Sequence, residues 1–219
     1  MSKTAIILGA TGLTGGILLH KLLKDDRYAK IKLFSRSSVK LDHPKIEEYL
    51  IDMFNLRDHS TSFTADEVFC CVGTTKSKTP DKEKYHNVDY GIPVSAARLC
   101  KTNGINTLIV VSALGANANS AIFYNRTKGE MEKAVLEFNI PNTYILQPSL
   151  IDSKRQERRI GEYLFIQLMH LINPVLVGKL RKYRSIEPET IVSVMIWVAN
   201  NKYSPEIIPS DKINQLADN

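Results

Sequence analysis

Tyr124 and Lys128, in Tyr124-Asn125-Arg126-Thr127-Lys128, are the two side chains in this sequence best suited to passing a proton. On a helix, four-residue spacing puts both on one face, one turn apart. An ammonium beside a phenol stabilises the phenolate, so Tyr124 is expected to exchange its proton near neutrality. The chemistry that needs such an acid is carbonyl reduction, in which hydride reaches carbon while a proton reaches oxygen. The pattern is short, and it recurs at Tyr28 and Lys32. That copy stands at the entry to a strand-like run, away from the strand ends where open parallel sheets bind ligands, and is expected to be structural. Ser112 closes the apolar run Leu108-Ile109-Val110-Val111 and is the expected third member, a hydroxyl placed to donate to a developing oxyanion.

A hydride donor is indicated near the amino end, where Gly9-Ala10-Thr11-Gly12-Leu13-Thr14-Gly15 joins a short apolar run to a helical one. Free backbone N–H groups and the positive helix end at such a junction suit the pyrophosphate of a dinucleotide. The spacing is GxxGxxG. Gly9 suits the tight turn, Gly12 the close approach of phosphate, and Gly15 the contact of helix with sheet. Thr11, Leu13 and Thr14 complete the expected cradle. After the second apolar run the chain reads Ser35-Arg36, with no carboxylate to take ribose hydroxyls. A guanidinium there can stack on adenine and pair with a 2′-phosphate, which favours NADP(H) over NAD. Asp52 is a candidate for the adenine amine, and equally an ordinary loop aspartate. Val72-Gly73-Thr74 and Pro148-Ser149, with Ile151, end later strands and are expected along the rest of the cofactor.

These residues need a scaffold that gathers strand ends. Apolar runs at 5–8, 31–34, 49–51, 68–72, 108–111 and 144–146 alternate with helical patterns at 13–24, 90–102 and 125–137. That alternation, with continuous hydrophobicity in the strands, predicts an α/β Rossmann-like doubly wound parallel sheet with flanking helices. A further helix is expected at 189–200, and Ile207-Ile208 is a candidate last edge strand. No repeat or linker divides the chain, so residues 1–219 read as a single domain. Residues from about 149 to 219 are expected to cover the substrate side, with Tyr163, Leu164, Phe165 and Leu168 as a pocket wall, an interface or plain core.

The totals fit. A chain of 219 residues with 43% hydrophobic content can fill one core. The net charge of +6, from 29 basic and 23 acidic side chains, is spread along the chain. No aromatic platform or helix-turn-helix pattern accompanies it, so no nucleic-acid partner is expected. The apolar stretch 163–177 is broken by Gln167, His170 and Pro174 and is too short for a membrane span. Cys70, Cys71 and Cys100 lack metal spacing and are expected buried and reduced, and the five histidines share no ligand pattern. The first residues resemble neither a signal nor a transit peptide, and a cytoplasmic location is expected.

Together these motifs resemble the atypical short-chain dehydrogenases/reductases, more narrowly the HIV-Tat-interacting-protein-like oxidoreductases, over nearly the whole chain. The likeness extends to Phe69-Cys70-Cys71-Val72-Gly73-Thr74-Thr75, Lys128-Gly129-Glu130, Arg155-Gln156-Glu157 and Gly161-Glu162-Tyr163-Leu164. It implies a Rossmann fold, bound NADPH and catalytic roles for Ser112, Tyr124 and Lys128, and leaves the substrate open; the residues themselves favour reduction of a small or medium carbonyl compound. Ala113 stands where relatives place a second serine. The family's association with protein contacts keeps an NADPH-sensing binding protein as the alternative, and leaves a protein partner or homo-oligomer open. Nucleotide-sugar epimerisation, performed by extended relatives, fits less well, since about 70 residues follow Pro148 and Arg36 favours the phosphorylated cofactor.

Overall fold

A computed structural model describes residues 2–152, 176 and 178–217. Seven strands form one parallel sheet in the order β3-β2-β1-β4-β5-β6-β7: β1 Lys3–Leu8, β2 Tyr28–Ser35, β3 Ile46–Leu50, β4 Glu67–Cys70, β5 Thr107–Val111, β6 Asn142–Gln147 and β7 Ile207–Pro209. Alternate side chains go to opposite faces. Ala5, Ile7, Phe69, Ile109 and Leu146 pack beneath the layer formed by α1 (Leu13–Leu23) and the later helix Pro188–Asn200. Ile6, Leu8, Val68, Leu108 and Val110 meet the other layer, α3 (Ile92–Thr102) and α4 (Phe123–Leu136). Each fully buried aliphatic side chain contributes about 2 kcal/mol, so the two-sided central strands anchor the loops at their ends.

The third strand lies earlier than the apolar run at 49–51 suggests. It is a half-buried edge, Ile46-Glu47-Glu48-Tyr49-Leu50, so continuous hydrophobicity was the wrong marker for it. Tyr49 stacks on Phe34 of the neighbouring strand, with ring centroids 4.6 Å apart. The helix expected from Tyr90 begins earlier, as α2 (Lys82–His86), runs through a wide π-turn at Asn87–Gly91, and continues as α3. Pro93 explains the widening. It has no N–H for the carbonyl four residues back, and its ring crowds that carbonyl, at Asp89.

After β6 the described chain returns to the sheet. A 3-10 helix, Gly178–Tyr183, precedes α5 (Pro188–Asn200), which packs on α1. The last segments are β7 and α6 (Ser210–Ala217). The expected wall residues Tyr163, Leu164, Phe165 and Leu168 lie outside the described residues. The second Tyr/Lys pair is structural, as expected. The Tyr28 hydroxyl donates to Glu67, and Lys32 Nζ donates to the Ser62 carbonyl at 3.0 Å and to Thr64 at 2.9 Å. An ion pair, Lys3 to Glu67 at 2.9 Å, joins them at that end of the sheet.

Candidate active site

The order of strands reverses between β1 and β4, and the expected site residues, apart from Asp52 after β3, follow the carboxyl ends of β1, β2, β4, β5 and β6 around that crevice. Gly9 sits at φ +88°, and its carbonyl accepts the Gly12 N–H at 2.9 Å. A Cβ on Gly15 would lie 2.2 Å from the Gly9 oxygen, so only glycine lets α1 begin this close to the loop. A Cβ on Gly12 would meet only that oxygen, at 3.2 Å, and otherwise projects into open space. No side chain caps α1 and no acidic residue stands in its first turn. Thr11 is exposed, Leu13 half-buried and Thr14 buried. The cradle therefore fits the pyrophosphate of a dinucleotide: bare amides, a positive helix end, and room that a side chain at residue 12 would take.

Beside it opens a cavity of about 450 Å³, lined by Thr11, Gly12, His20, Ser37, Ser38 and Lys40 among others. Arg36, directly after β2, is exposed and stands next in the chain to the lining residue Ser37 without lining the cavity itself. Lys40, at φ +55°, was not singled out from sequence, because a lysine in a polar loop carries no distinguishing pattern. Ser35 is buried, and its hydroxyl donates to the Ser37 carbonyl at 2.8 Å, fixing the turn rather than facing the cavity. Asp52 caps the 3-10 helix Met53–His59, accepting the Phe54 N–H at 3.0 Å, which is the ordinary loop reading left open above.

At the other end of the crevice, Lys128 is buried, and its ammonium lies 2.8 Å from Asp89 Oδ1. The approach is a close ion pair without hydrogen-bond alignment on that oxygen. The other carboxylate oxygen accepts the Thr74 N–H at 2.8 Å. Asp89 is wholly buried and was missed in the sequence. It lies within what reads as a continuous helix, where the π-turn that turns it inward leaves no signal except Pro93.

Tyr124 is 40% exposed, yet its hydroxyl is near enough to feel the charges of Lys128 and Asp89. Burial raises its pKa, Lys128 lowers it and Asp89 raises it again, and the phenol ends above its ordinary value. This corrects the expectation of a tyrosine lowered by its lysine: the lysine acts, but its field is opposed by a carboxylate and by desolvation. Tyr124 also borders a cavity of about 520 Å³ with Thr74, Thr79, Pro80, Tyr85 and Phe123, a mostly apolar lining. Tyr85 donates to the Thr74 carbonyl at 3.2 Å and meets Phe123 edge-on at 5.5 Å.

Ser112 is buried and its hydroxyl donates to Glu132, one turn beyond Lys128 on α4. Gln147 donates to both Glu132 oxygens, at 3.0 and 2.9 Å. Burial nevertheless raises the Glu132 carboxyl above its ordinary range. With its one proton directed to Glu132, Ser112 has none to offer an oxyanion in this arrangement. Beside the crevice, Val72 and exposed Gly73 lead into Thr74. Pro148 is buried, with its carbonyl accepting the Leu114 N–H at 2.8 Å. Ser149 donates to the Arg184 carbonyl, and Ile151 pairs with Ile186, so these two tie the chain after β6 to the segment before α5.

Comparison with known proteins agrees with this geometry. A family model described as NAD(P)H-binding matches residues 9–162. The rat protein HTATIP2 is 30% identical over 74% of this chain and 69% of its own length. The mitochondrial protein FMP52 of Candida glabrata is 31% identical over 77% of this chain and 73% of its own. Among solved structures, the Bordetella bronchiseptica enzyme WbmG in complex with NAD superimposes with a TM-score of 0.70. At 11% identity it covers 95% of this chain and 72% of that one, a likeness of fold alone.

Proposed function

The chain belongs to the NAD(P)H-binding family of atypical short-chain dehydrogenases/reductases that includes HTATIP2 and FMP52, and from that footing we propose that it reduces a small carbonyl compound with NADP(H). The observation that carries the reading is Tyr124 at the edge of an apolar cavity of about 520 Å³, with Lys128 buried one helical turn below it.

The residues divide the work. Gly9, Thr11, Gly12, Leu13, Thr14 and Gly15 would hold the pyrophosphate through backbone N–H groups. Arg36, with Ser37, Ser38 and Lys40 near it, would take the 2′-phosphate; the absence of a carboxylate there favours NADP(H) over NAD(H). Val72, Gly73 and Thr74 would border the nicotinamide side. When bound, the cofactor supplies hydride. Tyr124 then gives its phenolic proton to the substrate oxygen, and Lys128 steadies the resulting phenolate while its chain reaches toward the crevice. Tyr85, Phe123 and Pro80 exclude water from the carbonyl and select a substrate with an apolar body.

The test is turnover of NADPH with a panel of apolar aldehydes and ketones, comparing the native chain with Tyr124→Phe. Normal turnover by the variant on every accepted compound would refute the assignment.

A second reading is favoured by two observations, the Ser112 hydroxyl directed at Glu132 and the Tyr124 phenol above its ordinary value. In it, the chain is an NADPH sensor, and Tyr124 and Lys128 clamp the cofactor without turnover. A partner whose affinity follows NADPH and survives Tyr124→Phe would favour it. The buried, unpaired Cys70 and Cys100 suit a reducing compartment, which we take to be the cytoplasm; cell fractionation checks this.

A further inference from the structure

The wide turn at Asn87–Gly91 brings a buried carboxylate against the one ammonium that serves the reactive tyrosine. We propose that Asp89 is a positioning residue that holds Lys128 in a sealed ion pair and thereby keeps Tyr124 as a phenol, set to give a proton rather than take one. This rests on the reading of Tyr124 as the proton-transferring group.

The geometry supplies three parts of the argument. Asp89 is wholly buried, and its carboxylate spans two partners, the Lys128 ammonium at 2.8 Å and the Thr74 N–H at 2.8 Å. A Cβ on Gly73 would lie 3.6 Å from Asp89 Oδ1 and 3.8 Å from Lys128 Nζ, so the pair sits directly beneath the backbone that borders the crevice. An ammonium with a carboxylate against it presents a dipole rather than a full charge, and its pull on a neighbouring phenol falls accordingly.

Lys76 and Lys82 also line the cavity that Tyr124 borders, but the charges that act on its phenol are those of Lys128 and Asp89. Among the described residues, Tyr85 is a neutral neighbour of both Tyr124 and Asp89, and its own phenol is pushed up by burial. Cys70 is a buried thiol, pushed up to about 11 by burial, and feels both members of the pair. Glu132 feels Lys128 from the next turn of α4 and adds a second acid on that side. Carbonyl reduction uses the phenol and alcohol oxidation the phenolate. Asp89 therefore extends the pH range of reduction upward and delays oxidation to higher pH.

The direct test reads the tyrosine itself. Protein carrying 13C at the tyrosine ring carbon that bears the hydroxyl is titrated by NMR, with Tyr124→Phe identifying the resonance. In the native chain Tyr124 should stay a phenol past the ordinary tyrosine value. In Asp89→Asn its midpoint should fall by about one pH unit or more, and Asp89→Glu, which restores the charge, should bring it back up. A purely structural Asp89 would lower the melting temperature of Asp89→Asn and leave the Tyr124 midpoint unmoved, which overturns the proposal. If Asp89→Asn does not fold, Asp89→Ser is titrated in its place against Asp89→Glu: a Tyr124 midpoint that falls in the serine variant and recovers in the glutamate variant upholds the proposal, and equal midpoints, or a native midpoint below the ordinary value, overturn it. The titration needs no substrate, so a failure of the reductase reading, seen as no turnover of any carbonyl, and a failure of this proposal, seen as an unmoved Tyr124 midpoint, are told apart.

Discussion

The Ser112 hydroxyl and the Glu132 carboxylate form one hydrogen-bonded unit, closed from β6 by Gln147. A serine whose proton is held this way supports a buried acid more than it supports a reaction. Ser112→Ala should therefore lower turnover far less than the roughly 100-fold expected from removing an oxyanion donor. It should instead cost about 1–3 kcal/mol of stability, because the carboxylate loses a partner while remaining buried. Urea unfolding and steady-state kinetics on the same variant check both halves.

Glu132 also sets a pH dependence. Its folded carboxyl is raised by burial, against the opposing effects of Ser112, Gln147 and Lys128. A raised acid favours the protonated fold, so its contribution is complete below the ordinary glutamate value and is lost as pH climbs through the folded value. Glu132→Gln has no proton to lose. The melting temperature of the native chain minus that of Glu132→Gln should thus fall as pH is raised from about 4 to about 7. A difference that stays flat would mean that Glu132 is not raised.

Tyr124→Phe should reduce turnover by about 100-fold or more while leaving NADPH affinity nearly unchanged. Fluorescence titration of NADPH and single-turnover rates separate the two effects.

Discrimination between coenzymes should reside at the end of β2. Arg36→Ala is expected to weaken NADPH binding by roughly tenfold or more, the loss of one charge-assisted contact, and to leave NADH affinity where it was. Lys40→Ala should act in the same direction if its ammonium shares the phosphate. Equal weakening of both coenzymes would assign these side chains to the adenine or to the fold instead.

Much of this was legible in advance, for identifiable reasons. The central strands announce themselves because burial on both faces demands unbroken hydrophobicity, whereas β3, a half-buried edge with Glu47 and Glu48 in its middle, lacks it and was misplaced. Tyr124 and Lys128 could be told from Tyr28 and Lys32 by position relative to strand ends, although the two pairs have identical spacing. Asp89 could not be found, since a one-residue widening of a helix leaves its composition unchanged. Lys128-Gly129-Glu130 was noticed only as a likeness, and its physical cause is now plain. A Cβ on Gly129 would fall 2.1 Å from the Ala118 backbone nitrogen and 2.2 Å from the Asn117 carbonyl carbon, where the loop after β5 crosses α4.

Gly129→Ala accordingly should destabilise the chain by at least about 1–3 kcal/mol, as overpacking against backbone cannot be relieved by a side-chain rotation. Differential scanning calorimetry measures it. An alanine tolerated without loss would require the 112–122 loop to shift bodily.

The widened turn before α3 makes this part of the sequence a matter of counting. Excising one residue between Lys82 and Gly91 would let an ordinary α-helix form, re-phasing everything on one side of the cut by about 100°. A carboxylate at that station would then swing toward solvent, and the ammonium it faces would be stranded in the interior. A substitution along this stretch alters one side chain, but a gap of a single residue would have the effect of a key cut one notch short.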